Sequence, residues 1–345
     1  MSQSKEFENY FNSISKEFKR GETTELTFRS YLKQFLESLF SDLSVSEENK
    51  KIQKIEKPNF TCFKKNIKIG YIETKDIGID LDKELKSEQI IRYSEAIPNL
   101  ILTDYLRFIF LRDNQVIFDL SLFEKTDLNK GKILLNNELI EKFNKLVESF
   151  LNYQLPVIKN PTELAIELSK RAKLLKVLAS EQLEEDLENV KNNEVGSSIY
   201  DFYEAFKELI KETSISDCVD AYSQTITYGL FLAKIGSHDG LNRDSAVTYI
   251  SPSIKIIKKI FMHIAGDELP QNLSWIVDEI IDILNASDIN KILSSFVFKG
   301  KHYRDPFIHF YEDFLKEYDP QKRKHLGVYY TPEPVVYFIT NAIND

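Results

Sequence analysis

The stretch IKIGYIETK, residues 67–75, decides the fold of the first half of this chain. Its β-branched and aromatic residues are typical of a β-strand, and the side chains of a strand point alternately to its two faces. Glu73 and Lys75 are therefore expected to share one face of the sheet, and Ile72 and Thr74 the other. The stretch predicts a strand that carries a carboxylate and an ammonium group together near its C-terminal end.

Further strand-like segments surround residues 67–75, and a helical segment follows them. Two amphipathic helices are predicted within the first forty residues, and a single helix is predicted over DKELKSEQIIRYSEAI, residues 82–97. The other predicted strands are NFTCF (59–63), NLILT (99–103), YLRFIFL (105–111) and QVIFDLSLF (115–123). Together these elements predict a mixed α/β unit with a sheet of about five strands, flanked by helices.

Strand signals fade after Asn160-Pro161, and long helical patterns take their place. The segment 162–190 predicts one long helix, and its acidic run at Glu181, Glu184, Glu185, Asp186 and Glu188 is expected on an outward face. Shorter helices are predicted over residues 199–211, 217–233, 253–264, 275–284 and 307–315. The second half of the chain is therefore expected to be all-α.

The composition bounds the class of protein. The chain has 345 residues, 42% of them hydrophobic and 29% charged, which excludes a disordered, collagen-like or disulfide-stapled protein. Two distant cysteines and the lack of a signal peptide or a long apolar run favour a cytoplasmic protein without a membrane span. The formal net charge of -9 excludes a uniformly basic coat for nucleic acid, but not local basic patches.

Glu73 and Lys75 suit metal-assisted hydrolysis of a phosphodiester. A carboxylate can hold Mg²⁺, which prefers oxygen ligands, and a lysine can position the nucleophile and offset charge on the phosphate. The alternative is an ordinary surface strand, since Glu and Lys are often paired on exposed strands for solubility.

Gln89 and Tyr93 lie four residues apart and so on one face of the predicted helix, with Arg92 beside them. With the Glu-x-Lys strand, this pattern resembles the PD-(D/E)xK nuclease superfamily and the Gln-x-x-x-Tyr helix of its recombination-nuclease branch. The resemblance implies a restriction-endonuclease-like α/β domain, in which Glu73 ligates Mg²⁺ and Lys75 orients the nucleophile. Gln89 and Tyr93 would hold the site or the DNA backbone, although an ordinary helix face packed on the sheet explains them as well.

Asn59 departs from the family pattern. The family places an acidic metal ligand after a proline, and here Asn59 follows Pro58, fourteen residues before Glu73. Asn59 would be a second, weak metal ligand, because an amide oxygen lacks the full charge that holds the ion. Glu25 resembles the additional acid that family members take from their first helices. If the alignment is shifted, the substitute ligands are Glu56 or Asp76, and otherwise weak Mg²⁺ binding and poor cleavage are expected.

Lysines cluster in the sequence around the predicted site, at residues 50, 51, 54, 57, 64, 65 and 68. Local positive charge suits contact with the phosphates of double-stranded DNA, for which Lys57, Lys64, Lys65 and Arg92 are the candidates. The alternative is a solvated lysine-rich loop.

The segment FIHFYEDFLKEYDPQKRKHLGVYYTPEPVVYFIT, residues 307–340, resembles the start of the catalytic domain of adenine-N6 DNA methyltransferases. The resemblance implies an S-adenosylmethionine pocket beside Tyr330, Thr331 and Pro332. Without the resemblance, Thr331 is simply the N-cap of a helix. Neither the glycine-rich cofactor loop nor the Asn/Asp-Pro-Pro-Tyr/Phe motif occurs in the sequence, so the chain is expected to be the N-terminal portion of a longer protein.

These observations predict a nuclease-like domain over residues 1–160, a helical connector over 161–305 and the beginning of a methyltransferase domain over 306–345. The resemblances imply a type IIG-like restriction-modification enzyme that cleaves DNA and methylates adenine in the intact protein. Two alternatives are open: a catalytically inactive nuclease-like module that binds DNA, and an acidic helical interaction protein without a role on DNA.

Overall fold

The computed structural model describes residues 2–21, 25–48, 57–131, 133, 135–237, 240–250, 269–296 and 306–325. The chain divides into two compact units, the N-terminal unit Met1–Gln154 and the helical unit Leu155–Asp345. Among the helices of the described residues, none combines the length and the apolar character that crossing a bilayer requires.

The N-terminal unit is a mixed α/β structure, as the sequence predicted. Its elements, in chain order, are α1 (Ser2–Arg20), α2 (Glu25–Leu39), β1 (Leu43–Glu47), β2 (Phe60–Lys64), β3 (Ile67–Thr74), α3 (Leu81–Glu84), α4 (Glu88–Ala96), β4 (Asn99–Thr103), β5 (Arg107–Arg112), β6 (Gln115–Ser121), α5 (Lys125–Lys130) and α6 (Asn137–Leu151).

The strands form one six-stranded sheet in the order β1-β2-β3-β4-β5-β6. Neighbouring strands are antiparallel except β3 and β4, which run parallel and are joined by a crossover through α3 and α4. Strand β3 lies inside the sheet, and Tyr71 to Thr74 align with Leu100 to Thr103 of β4. Glu73 and Lys75 of the Glu-x-Lys motif therefore lie at the C-terminal end of a central strand.

Two local expectations were wrong. Strand β1 was not expected, because its LSVSE sequence is short and carries polar residues on alternate positions. The helix predicted over residues 82–97 is two helices, since Asp80 caps α3 and Ser87 caps α4 with its own hydroxyl. A cap residue satisfies the free N–H groups of a new helix start, so Ser87 favours a second start over a continuous helix.

One face of the sheet packs on helices through an aromatic core. Phe60 of β2, Ile72 of β3 and Phe108 of β5 belong to the same buried cluster as Phe7 of α1 and Phe143 of α6. Burial of this face fixes the register of β3, because a shift by one residue would exchange Ile72 with its polar neighbours. The side chains of Glu73 and Lys75 are thereby directed away from this core.

Strand β3 is tied to β4 and α6 by a buried amide. The side-chain nitrogen of Asn99 donates to the carbonyl oxygen of Ile69 at 2.6 Å and to that of Phe150 at 3.0 Å. Gly70 lies against this amide, and a β-carbon at Gly70 would be 2.3 Å from the backbone oxygen of Asn99. The glycine in IKIGYIETK is therefore required by the close approach of β4.

The helical unit contains the long helix that the sequence predicted, now α7 (Pro161–Lys191). Its other described helices are α8 (Ser198–Leu209), α9 (Ile215–Gly236), α10 (Arg243–Tyr249), α11 (Gln271–Asn285), α12 (Ile289–Ser294), α13 (Pro306–Tyr318) and α14 (Pro320–His325). The helix predicted over residues 253–264 lies outside the described residues.

The acidic run of α7 does not lie wholly on an outward face. Glu181, Glu184 and Glu188 are exposed, but Asp186 is 2% exposed and accepts hydrogen bonds from Gln182 and Ser197. The expectation was wrong for Asp186 because the helical period brings residues 182 and 186 to the same buried stripe.

Candidate functional site

The candidate site lies where β3 ends beside β4. The backbone N–H of Lys75 donates to the carbonyl oxygen of Thr103 at 2.9 Å, which extends the parallel pairing by one residue past Thr74. Glu73 is 2% exposed, whereas the side chain of Lys75 is 19% exposed. The strand thus presents a buried carboxylate followed by a more accessible ammonium group.

The ammonium group of Lys75 is surrounded by three side-chain oxygens. It donates to Oε1 of Gln89 at 2.7 Å, and it lies 3.3 Å from Oε1 of Glu73 and 3.4 Å from Oε2 of Glu84. The structure therefore brings together three of the residues that the sequence singled out, and adds Glu84. Glu84 was not identified from the sequence. The sequence feature that could have indicated it is Asp80, which as an N-cap begins a short helix and fixes the face on which Glu84 lies.

Asn59 is fully buried and contacts both Glu73 and Thr74. Its backbone N–H donates to Oε2 of Glu73 at 3.2 Å. Its side-chain oxygen accepts the backbone N–H of Thr74 at 2.7 Å and the Thr74 hydroxyl at 3.0 Å. The spacing of Asn59 from Glu73 thus reflects a direct contact between them.

The residues of the site do not fit Mg²⁺ in the way that the sequence suggested. A carbonyl-type oxygen has two lone pairs, and Thr74 already uses both lone pairs of the Asn59 oxygen. The Asn59 side-chain nitrogen is a donor and cannot ligate a cation. Over the described residues, no group of three or more His, Cys, Asp or Glu side chains could hold a metal ion.

The Asn59 side-chain nitrogen is itself informative. It is buried and has no hydrogen-bond partner among the described residues. An unsatisfied buried donor costs about 1–3 kcal/mol. An aspartate at this position would keep both hydrogen bonds from Thr74 and would place a second oxygen where the unsatisfied nitrogen now lies.

Gln89 and Tyr93 lie together on α4. The Gln89 side-chain nitrogen is 3.5 Å from the Tyr93 hydroxyl, at the limit of a hydrogen bond, while its oxygen accepts from Lys75. Tyr93 is fully buried, and Arg92 beside it is partly buried. Gln89 therefore links the helix to the end of β3.

In the part of the chain that the structure describes, none of the other acidic candidates joins this cluster. The side chain of Glu25 and all of Glu56 lie outside the described part of the chain. Asp76 is exposed, and the structure gives it no contact with Glu73 or Lys75.

The lysines of the β2–β3 hairpin do not crowd the site, contrary to expectation. Lys64 pairs with Ile67 at the turn, whereas Phe60 pairs with Ile72 next to Glu73. At about 3.3 Å per residue, the turn is roughly 20 Å from Glu73 along the strand. These lysines are close to Glu73 in the sequence but distant from it in space, because the turn and Glu73 lie at opposite ends of β3.

The hairpin lysines differ in their own contacts. Lys64 donates to Asn152 at 2.9 Å, and Lys65 is exposed at the turn. Lys57, two residues before Asn59, forms an ion pair with Glu48 at 2.5 Å. Contact of Lys57, Lys64, Lys65 or Arg92 with DNA stays a prediction.

The helical unit has a cavity of about 570 Å³ between α8, α9 and α13. Gln224 lies in its lining, and both ends of its amide are used, since it donates to Asp220 at 3.0 Å and accepts from Tyr311 at 3.1 Å. The amide of Gln224 is therefore engaged by two other residues of the cavity lining. The proposed cofactor residues Tyr330, Thr331 and Pro332 lie outside the described residues.

No family model matches the chain, and no curated protein matches it. Among solved structures, the chain is similar to one described as the cryo-EM structure of a DrdV–DNA complex, with 16% sequence identity and a TM-score of 0.33. The match covers 98% of this chain but 31% of that chain, so this chain spans less than two thirds of its length.

Proposed function

We propose that the N-terminal unit is the nuclease-type domain of a DNA-processing enzyme, and that with Asn59 in place it binds DNA with little or no cleavage. One observation carries the proposal: Lys75 joins the buried Glu73 at the end of β3 to Gln89 on α4. A carboxylate, an ammonium group and an amide that converge at a strand end are suited to phosphate chemistry.

Asn59 favours binding over cleavage. Its oxygen is saturated by Thr74, so Glu73 has no second protein oxygen from this position with which to hold a divalent ion. Hydrolysis near neutral pH without such an ion would lose the activation of water that a metal provides. Contacts with DNA phosphates depend on charge and hydrogen bonding and do not need that activation.

The replacement Asn59→Asp tests this function in the full chain. We expect the wild-type protein to retain a DNA duplex at low salt without nicking supercoiled plasmid, and Asn59→Asp to nick it when Mg²⁺ is added. The double variant Asn59→Asp/Glu73→Gln is the matched control, because it keeps the new acid and removes the carboxylate at the end of β3. It should bind DNA without nicking.

Each outcome bears on a different part of the proposal. Retention of DNA without nicking by Asn59→Asp would support a binding module and refute the nuclease scaffold. If the wild-type chain shows no salt-sensitive binding to DNA, the proposed role on DNA is refuted. The remaining interpretation would then be an acidic helical interaction protein.

We propose further that the intact protein is a type IIG-like restriction-modification protein with S-adenosylmethionine-dependent adenine-N6 methylation, in which the Mg²⁺-dependent cleavage typical of the nuclease domain is weak or lost because Asn59 replaces the acid. The support is the sequence motif at residues 327–332, which follows helix α14 in the sequence. Specificity for a DNA sequence would come from a domain other than those considered above. Sequence beyond Asp345 tests this assignment, since a glycine-rich cofactor loop and an Asn-Pro-Pro-Tyr-type motif should follow.

A further inference from the structure

We propose that the cavity of the helical unit between α8, α9 and α13 binds a small organic ammonium ion. The cavity has a volume of about 570 Å³. Sites for small molecules typically measure about 300–1,000 Å³. All the described residues that line the cavity belong to the helical unit, so binding there does not depend on the nuclease-type function proposed for the N-terminal unit.

Four aromatic rings from three helices line the cavity. Phe206 comes from α8, Tyr228 from α9, and Phe307 and Tyr311 from α13. The rings of Tyr228 and Tyr311 are 5.1 Å apart and inclined by 64°, so they form a corner rather than a flat stack. The faces of aromatic rings attract a cation, and several rings around one point suit a quaternary ammonium group.

Hydrogen bonds hold two of these rings in place. The Tyr228 hydroxyl donates to the backbone oxygen of Phe307 at 2.8 Å, and the Tyr311 hydroxyl donates to the side-chain oxygen of Gln224 at 3.1 Å. Each of these bonds joins α9 to α13. Because the rings are fixed before a ligand enters, binding costs little ordering of the protein.

The charged side chains of the cavity lining are negative. The described lining residues include Asp217 and Asp220 but no lysine, arginine or histidine. Asp220 is 2% exposed, and Lys176 of α7 lies 2.8 Å from its Oδ1 and balances its charge. Asp217 is exposed and brings a second carboxylate to the cavity. Carboxylates among aromatic walls favour a cationic ligand and disfavour a nucleotide or another anion.

Choline and its neutral carbon analogue test the cavity in the full chain. In the analogue a tert-butyl group replaces the trimethylammonium group, so the two molecules share their shape and differ in charge. We expect saturation-transfer NMR to detect binding of choline to the wild-type chain. The neutral analogue should bind about five-fold more weakly or less well still, because it lacks the attraction of the rings for a cation.

Two substitutions test the rings and the carboxylates separately. Phe307 is 39% exposed, so Phe307→Leu should keep the fold while it removes one ring, and Asp217→Asn removes one charge. Each should weaken choline binding about three-fold or more. The matched controls are Tyr203→Leu, whose ring lies over Lys207 and outside the described lining, and Glu184→Gln, which removes an exposed acid of α7. Both controls should bind choline as the wild-type chain does.

Three results would overturn the proposal. Equal binding of choline and the neutral analogue would show an apolar cavity without selectivity for charge. A wild-type chain that does not bind choline would exclude the ammonium site. Choline binding that Phe307→Leu and Asp217→Asn leave unchanged would place the ligand elsewhere. The comparison of the two ligands needs only the wild-type chain, so it decides the question even where a variant fails to fold.

Discussion

Replacement of Gly70 by alanine should disrupt the strand that carries the site. A β-carbon at Gly70 would lie 2.3 Å from the backbone oxygen of Asn99, 2.9 Å from its side-chain nitrogen and 2.9 Å from the ring of Phe150. Backbone atoms of β4 cannot move aside without shifting the parallel pair β3–β4. The substitution therefore strains the contacts between β3, β4 and α6 at once.

The cost of Gly70→Ala can be estimated from these contacts. Overpacking of a tight interior costs about 1–3 kcal/mol. The Asn99 amide would also have to leave its acceptors on Ile69 and Phe150, each hydrogen bond being worth about 1 kcal/mol. The sum is about 3–5 kcal/mol, a large share of the roughly 5–15 kcal/mol that stabilises a typical domain.

Urea unfolding with hydrogen exchange read by mass spectrometry would measure this loss in the N-terminal unit alone. Peptides from β3 and α6 should lose protection in Gly70→Ala at lower urea than in the wild-type chain. The control is Gly21→Ala, because Gly21 has a φ of +72° and no heavy atom within 4 Å of an added β-carbon. Only the left-handed backbone penalises that change, by about 1 kcal/mol. Equal stability of the two variants would refute the close-approach argument.

Two further predictions concern charged groups. Asp186→Ala should destabilise the helical unit by about 1–3 kcal/mol, because it removes the buried acceptor of the Ser197 hydroxyl. The exposed Glu184→Ala should change the stability by less than about 0.5 kcal/mol. Thermal melting followed by tryptophan fluorescence compares the two variants, and equal melting temperatures would contradict the burial of Asp186. The hydrogen bond from Arg107 lowers the pKa of Asp82. The ion pair between them therefore contributes fully at pH values above the usual aspartate pKa of about 3.9, and it is lost as the pH falls through the lowered pKa of Asp82. In Arg107→Gln, a carbon NMR titration should show the pKa of Asp82 rising toward that range, and an unchanged titration would count against the pair.

The strands and the long helix were predictable because their signals are local. Periodic apolar residues and β-branched runs reflect burial of one face, which is a property of the segment itself. Strand β3 and helix α7 were predicted from such patterns. Strand β1 was missed because its polar alternate residues make a short edge strand resemble a loop, and its pairing with β2 is set by the sheet.

The residues that form the site were harder to predict from the sequence than the place of the site in the fold. Glu73 and Lys75 share a strand, and Gln89 and Tyr93 share a helix face, so spacing alone pairs each set. Glu84 reaches Lys75 only because α3 ends before Ser87 and is anchored separately from α4. The expectation of one continuous helix concealed that contact.

Asn59 shows why the spacing of a motif is a weaker guide than the lone pairs of its atoms. Fourteen residues separate Asn59 from Glu73, and the two do touch, yet the Asn59 oxygen is already saturated by Thr74. The chemistry of the site therefore depends on which atoms are left available, and that depends on hydrogen bonds that no sequence pattern records. In the wild-type chain the available cation is the ammonium group of Lys75, which balances one buried carboxylate. Asn59→Asp would add a second buried carboxylate with a free oxygen, exceed what one ammonium group offsets, and so create the demand for a divalent ion.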